Sequence, residues 1–207
     1  MFRDRDEAAH RLADRLKSYR GKHPLILAIP RGAVPMGQVI AKALNGDLDV
    51  VLVRKLRAPL QPELAIGSVD ESGWTYLANY ARDYGGSSDY IETEKRAQLE
   101  TIRKRRAQYT PIRPPISPAG RTVIVIDDGL ATGATMIAAL HGLRASKPAK
   151  LICAVPVAPP DTLAKVADLA DEVVCLESPD FFQAVGQFYR HFPQVDDDEV
   201  IDILRQA

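Results

Sequence analysis

The chain has 207 residues, 46% of them hydrophobic and 26% charged, enough apolar material to enclose one sizeable core, which excludes a largely disordered protein. Lysine plus arginine and aspartate plus glutamate each number 27, so the net charge is zero and the broad positive field of a general nucleic-acid binder is excluded; any anion site must be local. No apolar run approaches the roughly 20 residues of a membrane helix, and MFRDRDEAAHR at the start lacks a signal-peptide hydrophobic region, so a soluble cytoplasmic protein is expected.

Residues 4–20 space Ala8, Ala9, Leu12, Ala13, Leu16 and Tyr19 at three- and four-residue intervals before Gly21, which predicts an amphipathic helix that packs on a sheet face and carries no chemistry. PLILAIP (24–30) predicts a buried strand, followed by the turn RGAVPMG and the helical QVIAKALNG. DVVLVRKL (49–56) predicts a second buried strand. APLQPELAIGSVDESGWTYLANY predicts a loop and then a hairpin turning at Asp70–Gly73, and 88–110 a long helix begun by Ser88 or Asp89 and ended by the proline-rich PIRPPISP. TVIVIDD (122–128), KLICAVPVA (150–158) and DEVVCLE (171–177) predict three more strands with helices between them. Continuous Val/Ile/Leu runs interleaved with helices imply an α/β fold with a mainly parallel sheet covered on both faces. Ligands of such sheets bind beyond the carboxyl ends of the strands, where Arg31, Arg54, Lys55, Asp127 and Asp128 fall.

Cys153 and Cys175 sit inside apolar runs and read as inert core thiols. The four histidines show no metal-ligand spacing, which leaves a structural zinc site without support.

The segment that carries chemistry is VIVIDDGLATGATM (123–136). An apolar strand delivers two carboxylates to its end, and a loop of small residues with two threonines then opens a helix. Backbone N–H groups at such a helix start, with the hydroxyls of Thr132 and Thr135, can hold a phosphate dianion without any lysine. Hydrogen bonds to a charged group contribute about 1.5–3 kcal/mol each, against about 0.3–1 kcal/mol from the helix dipole, so the donors dominate. Asp127 and Asp128 suit the hydroxyls of a diol. A ribose 5-phosphate satisfies both halves, with its phosphate in Ala131, Thr132, Gly133, Ala134 and Thr135. Neither GK[ST] nor G-x-G-x-x-G is present, which excludes a Walker loop and a dinucleotide fingerprint.

This segment resembles the 5-phosphoribosyl-1-pyrophosphate (PRPP) signature of type I phosphoribosyltransferases, in which two acidic residues close a strand and a T-G-x-T loop follows. Gly129 departs from the bulky aliphatic residue more usual there. IPRGAVPMG (29–37) is similar to the family's pyrophosphate loop, often carrying a cis peptide, which by that analogy Arg31 and Gly32 form. VRKL (53–56) stands where a basic residue contacts the pyrophosphate, making Lys55 the second candidate after that loop and Arg54 the third. RKLRAPLQPELAIGSV and CLESPDFFQAVGQFYRHFPQVDDDEV look like stand-alone bacterial phosphoribosyltransferases with no assigned acceptor.

The resemblance implies a single phosphoribosyltransferase domain over 1–207, with an insertion at 57–118 and a C-terminal hood at 178–207. It implies transfer of phosphoribose from PRPP to a nucleobase-like or other small nitrogen acceptor. Asp127, Asp128 and Lys55 are then catalytic, and Mg²⁺ is held mainly by PRPP, with Asp127 and Asp128 reaching it through water. Glu63 lies in the expected flexible loop. Aromatic candidates for the acceptor hood are Phe181 and Phe182, with Phe188 and Tyr189 after them, although near-helical spacing equally suits packing. The base-facing Asp of hypoxanthine and guanine enzymes is replaced here by Ala131, and ATGAT is closer to the loop of adenine enzymes. A homodimer is expected, without membrane or nucleic-acid partners. The alternative is a PRPP-sensing regulator that uses the basic helix 88–110 on RNA or a protein without turnover; interspersed Glu92, Glu94 and Glu100 make that helix a solvated face instead. The acidic run Asp196–Glu199 reads as a solvated helix start.

Overall fold

The apolar runs form β1 (Leu25–Ala28), β2 (Asp47–Val50), β6 (Thr122–Ile126), β7 (Lys150–Val157) and β8 (Glu172–Glu177) in a computed structural model that describes residues 1–207. All four pairings are parallel, in the spatial order β2-β1-β6-β7-β8. Strand periodicity sends alternate side chains to opposite faces. Leu25, Leu27, Val123, Val125, Leu151 and Cys153 pack beneath α4 (Ala134–Ala145) and α5 (Pro160–Ala167). Ile26, Ala28, Ile124, Ile126, Ile152 and Ala154 pack beneath α1 (Arg5–Arg15), α2 (Val34–Leu44) and α6 (Asp197–Gln206). Both faces are therefore buried, which is why these strands are apolar throughout rather than alternating. Cys153 is wholly buried and free, as expected of a core thiol.

A second sheet, antiparallel, holds β3 (Val53–Arg57), β4 (Ala65–Asp70) and β5 (Thr75–Leu77). Its hairpin turns at Asp70–Gly73: the Asp70 carboxylate accepts the N–H groups of Ser72 (2.9 Å) and Trp74 (3.0 Å), and Gly73 takes φ +89°. The long helix α3 (Ser88–Tyr109) lies on this sheet, capped by Ser87, not by Ser88 or Asp89. Buried Glu94 pins it, accepting the backbone N–H of Arg57 at 3.2 Å and its Nε–H at 3.0 Å.

The single strand expected over 49–56 is two strands in different sheets. The chain leaves the parallel sheet after Val50 and joins the hairpin sheet at Val53. Buried Asp49 secures the bend, its carboxylate accepting the N–H of Val50 (2.7 Å) and of Ile116 (2.8 Å). Continuous hydrophobicity across 50–53 cannot reveal a change of sheet. The helix expected over 4–20 is α1 followed by a separate 3₁₀ turn at Lys17–Tyr19. No helix is long and apolar enough to cross a membrane.

The parallel register sets the site. Ala28 is opposite Ile126 and Ile126 opposite Ala154, so the loop after β1, the acid pair after β6 and the loop before α4 emerge together at one edge. Two hydroxyls tie that last loop to its neighbours: Ser68 on β4 donates to the carbonyl of Ala134 (2.6 Å), and Thr162 on α5 to the carbonyl of Ala131 (2.6 Å).

Candidate active site

Asp127 and Asp128 continue β6 into a cavity of about 310 Å³ at the carboxyl edge of the parallel sheet. The Asp127 carboxylate accepts the backbone N–H of Asp128 through Oδ1 at 2.9 Å. Burial, and then the neighbouring charge of Asp128, push its pKa well above the ordinary carboxylate value. Asp128 is raised as well, chiefly by burial, with Arg5 and Lys55 pulling the other way. Arg5 gives both Nε–H (3.0 Å) and Nη2–H (2.9 Å) to the same oxygen, Oδ2 of Asp128.

The loop 129–133 enters α4 through Gly133, in the left-handed region at φ +78°, with no side-chain cap. Leu130 donates its N–H to the carbonyl of Val157 at 2.9 Å, and the amide of Ala134 meets only the Thr132 hydroxyl, at 3.4 Å. The amides of Ala131, Thr132, Gly133, Thr135 and Met136 have no acceptor in the protein. A run of open donors at a helix start, lined with the hydroxyls of Thr132 and Thr135, is a receptor for an anion with several oxygens.

Gly32 and Lys55 line the same cavity from the other side, beside Pro30. The Pro30–Arg31 peptide is cis. Lys55 is exposed and makes no ion pair within the chain, although its charge acts on both aspartates. Two other expected anion ligands are turned elsewhere. Arg31 faces Asp197 at 3.6 Å, and Arg54, on the opposite side of β3 from Lys55, donates to the Gln98 side chain at 2.9 Å. For Arg54 strand alternation is the reason: adjacent residues of a strand cannot both face one pocket. Asp197 is accordingly more than a solvated helix start, since it also receives the Tyr109 hydroxyl at 3.1 Å.

The C-terminal residues that line the cavity are not the ones expected to form a hood. Phe181 is 70% exposed and Phe182 packs on Phe188 at 4.9 Å between centroids; neither lines the cavity. Val185 and Phe192 do. Tyr189 holds this segment down by donating its hydroxyl to the Asp128 carbonyl at 2.6 Å, and the N-terminus pairs with it through Phe2 N–H to the Phe188 carbonyl (2.7 Å). Val185 also accounts for Gly129. A Cβ there would stand 2.6 Å from Val185 Cγ1 and 3.0 Å from Val157 Cγ1, so the C-terminal segment fills the space that a side chain would take. Gly129→Ala should destabilise the fold by about 1–3 kcal/mol through overpacking and should loosen the hood, read as a lower thermal midpoint and faster proteolysis after residue 180.

Arg5 brings α1, expected only to pack on the sheet, into contact with the acid pair. It lies at the first turn in line with the apolar stripe, three, four and seven residues before Ala8, Ala9 and Leu12, whereas Arg3 precedes the helix and Arg11 falls on another face; a charge on the buried stripe was the signal that marked it. Phe192 has a visible signal: with Phe188 and Tyr189 it makes an aromatic group at helical spacing, close to proline.

No cluster of three or more His, Cys, Asp or Glu side chains could hold a metal unaided. The donor set that is present, two adjacent carboxylates with an oxygen each turned from the protein's own donors, suits a hard divalent cation brought in by an oxyanion ligand. A larger groove of about 850 Å³ runs between α2, the start of β2 and the end of α6, away from the acid pair and the open amides.

A doubly covered parallel sheet with an anion loop and an acid pair at its carboxyl edge defines an α/β domain whose ligand lies beyond the strand ends. Residues 4–192 match the phosphoribosyl transferase domain model, and the chain belongs to that family. Two Mycobacterium tuberculosis proteins, from strains CDC 1551 and H37Rv and each named "putative phosphoribosyl transferase", are 42% identical to it over 208 aligned positions. The alignment takes in 100% of this chain and 47% of theirs, so the chain spans about half the length of the curated relatives it matches. The crystal structure of TT1426 from Thermus thermophilus is similar over 99% of this chain and 98% of that one, at 42% identity and a TM-score of 0.81.

Proposed function

We propose that this domain transfers the phosphoribosyl group of magnesium-bound PRPP to a nucleobase-like or other small nitrogen acceptor and releases pyrophosphate. The observation that carries this reading is the meeting, in one cavity, of the open amide run at 131–136 with the paired carboxylates of Asp127 and Asp128. The amides and the Thr132 and Thr135 hydroxyls take the 5-phosphate; the aspartates take the ribose hydroxyls and face the positive charge that develops on the sugar as the bond to pyrophosphate breaks. Lys55 and the amides around Gly32 answer the leaving charge. Magnesium, when bound, neutralises the pyrophosphate oxygens. Val185 and Phe192 stand where the acceptor would be covered, and closure over the site would protect PRPP from water. Homodimerisation belongs to the same reading.

Incubation with PRPP, Mg²⁺ and a panel of nitrogen heterocycles and amines should release pyrophosphate only when an accepted compound is present. Lys55→Met should lower that turnover by about a hundredfold, the scale of one lost transition-state charge contact, while its exposure leaves stability unchanged. PRPP affinity with no pyrophosphate from any acceptor would instead favour a sensor. For an RNA-binding sensor, α3 is a poor platform: Arg96 pairs with Glu92, Arg103 and Lys104 with Glu100, Arg105 with Asp197 and Arg106 with Glu71, so much of its positive charge is answered within the chain.

A further inference from the structure

Arg5 joins the acid pair to the C-terminal cover of the candidate site. Its Nε–H and Nη2–H converge on Oδ2 of Asp128, its Nη1–H is given to the carbonyl of Pro193 at 2.6 Å, and its guanidinium carbon lies 3.8 Å from the centre of the Phe192 ring. Its side chain is only 11% exposed. Gly32 completes the enclosure: a Cβ there would come within 3.0 Å of Arg5 Nη2 and would overlap Asp128 Oδ2. Such an arginine, fixed at three points, has little freedom left, and it transfers that rigidity to the carboxylate it holds.

Each aspartate has one oxygen committed inside the protein. Asp127 accepts the amide N–H of Asp128 on Oδ1, and Asp128 accepts the Arg5 guanidinium on Oδ2; no N–H group is hydrogen-bonded to Oδ2 of Asp127 or Oδ1 of Asp128. A carboxylate with both oxygens free can rotate and satisfy a lone hydroxyl in many ways. One held by a two-pronged donor offers a single oxygen from a single direction. One acceptor fixed in this way on Asp128, beside the oxygen that Asp127 leaves open, matches two hydroxyls on adjacent carbons.

We infer that Arg5 is a positioning residue: by locking Asp128 it makes the acid pair read both hydroxyls of a ribose at once, and so sets the preference of the site for ribosyl over 2-deoxyribosyl phosphates. The inference rests on the assignment of the sugar to Asp127 and Asp128 made above. Arg5 itself touches no substrate; its effect passes through Asp128. Removing it leaves the Asp128 carboxyl in place but free to turn, so the second hydroxyl loses its dedicated acceptor. Binding of the ribose compound then falls toward that of the deoxy compound, which has less to lose.

The test is calorimetric titration of the wild type, Arg5→Met and Arg5→Lys with ribose 5-phosphate and 2-deoxyribose 5-phosphate, with PRPP as a control and the thermal midpoint recorded for each protein. The wild type should prefer ribose 5-phosphate by about tenfold or more, the scale of one hydrogen bond to a charged acceptor. In Arg5→Met that ratio should fall to within about threefold of unity, and Arg5→Lys should recover part of it, because a single ammonium donor can still hold one carboxylate oxygen. A purely structural role would weaken both ligands together and leave the ratio where it was; an unchanged ratio in Arg5→Met therefore overturns the inference. Should Arg5→Met fail to fold, Arg5→Gln, which can still donate to the Pro193 carbonyl but lacks the double grip on Asp128, carries the same expectation and the same refutation. A wild type that binds PRPP yet ignores the 2-hydroxyl sinks this inference alone, whereas a wild type that binds neither PRPP nor ribose 5-phosphate sinks the assignment beneath it as well.

Discussion

Asp127→Asn and Asp128→Asn should each weaken PRPP binding by at least about tenfold, the scale of a lost charged hydrogen bond, yet they should move the thermal midpoint in opposite directions. Asp127 is a carboxyl whose pKa in the folded chain stands well above its ordinary value, because burial and Asp128 disfavour its charge. A raised pKa means that the folded state holds the proton more tightly than the unfolded state does. The contribution to stability is therefore complete below the unfolded pKa, near 3.8, and is lost as pH rises through the folded value. Above the unfolded value, the tighter hold of the folded chain on this proton opposes ionisation at a cost to stability. An asparagine keeps the carbonyl that accepts the Asp128 N–H and removes the charge, so Asp127→Asn should stabilise by about 1–3 kcal/mol, the usual scale for a poorly compensated buried polar group. The gain over wild type should grow between pH 4 and pH 8.

Asp128 differs in its partner. Burial raises its pKa too, but Arg5 offsets part of that, and Arg5 has no other carboxylate within reach. Asp128→Asn leaves an amide oxygen for Arg5 to donate to but removes the counter-charge of a nearly buried guanidinium, a loss of up to about 3 kcal/mol by analogy with other broken buried pairs. Thermal melts of the two variants across this pH range, alongside PRPP titrations, check both signs; equal shifts of the midpoint would show that Arg5 does not depend on Asp128 for its place.

Gly32→Ala should lower PRPP turnover by about a hundredfold, the scale associated with misplacing a reacting group by an ångström. The added methyl would overlap Oδ2 of Asp128 and lie 3.2 Å from its Cγ. The carboxylate cannot simply step aside, because Arg5 holds the same oxygen and is itself held by Pro193 and Phe192. Either the acid pair shifts or the loop after β1 withdraws, taking Gly32 away from the leaving pyrophosphate. The loop packs at the sheet's edge, not within its core, so folding should survive with a loss of about 1–3 kcal/mol. Steady-state kinetics and a thermal melt separate the two effects; near-normal turnover would mean that the acid pair tolerates displacement.

Local order made much of the site readable before folding. Residues 123–136 run without interruption from a strand to two acids to a loop to a helix start, so their neighbours in the chain are their neighbours in space. The amides at a helix start are open by the geometry of the helix itself, whatever packs around it. The same holds for the parallel sheet, because strands buried on both faces must be apolar at every position. Alternation along VRKL shows in principle that Lys55 and Arg54 face opposite ways, but only the fold says that the Lys55 side is the cavity.

Position in three dimensions decided the rest. The counterion of Asp128 comes from residue 5 and the cover over the pocket from residues 185 and 192, and no periodicity links positions so far apart in the chain. Whether the apolar run 49–56 is one strand or two depends on the burial of Asp49 against the amide of Ile116 and on a partner strand at 65–70, and the run itself shows neither contact. Sequence alone determined which backbone groups and which carboxylates would be offered at the sheet edge, because those follow from hydrogen bonding within one short segment. Tertiary structure alone decided what restrains and covers them, because that depends on contacts formed only when both ends of the chain pack across the same edge.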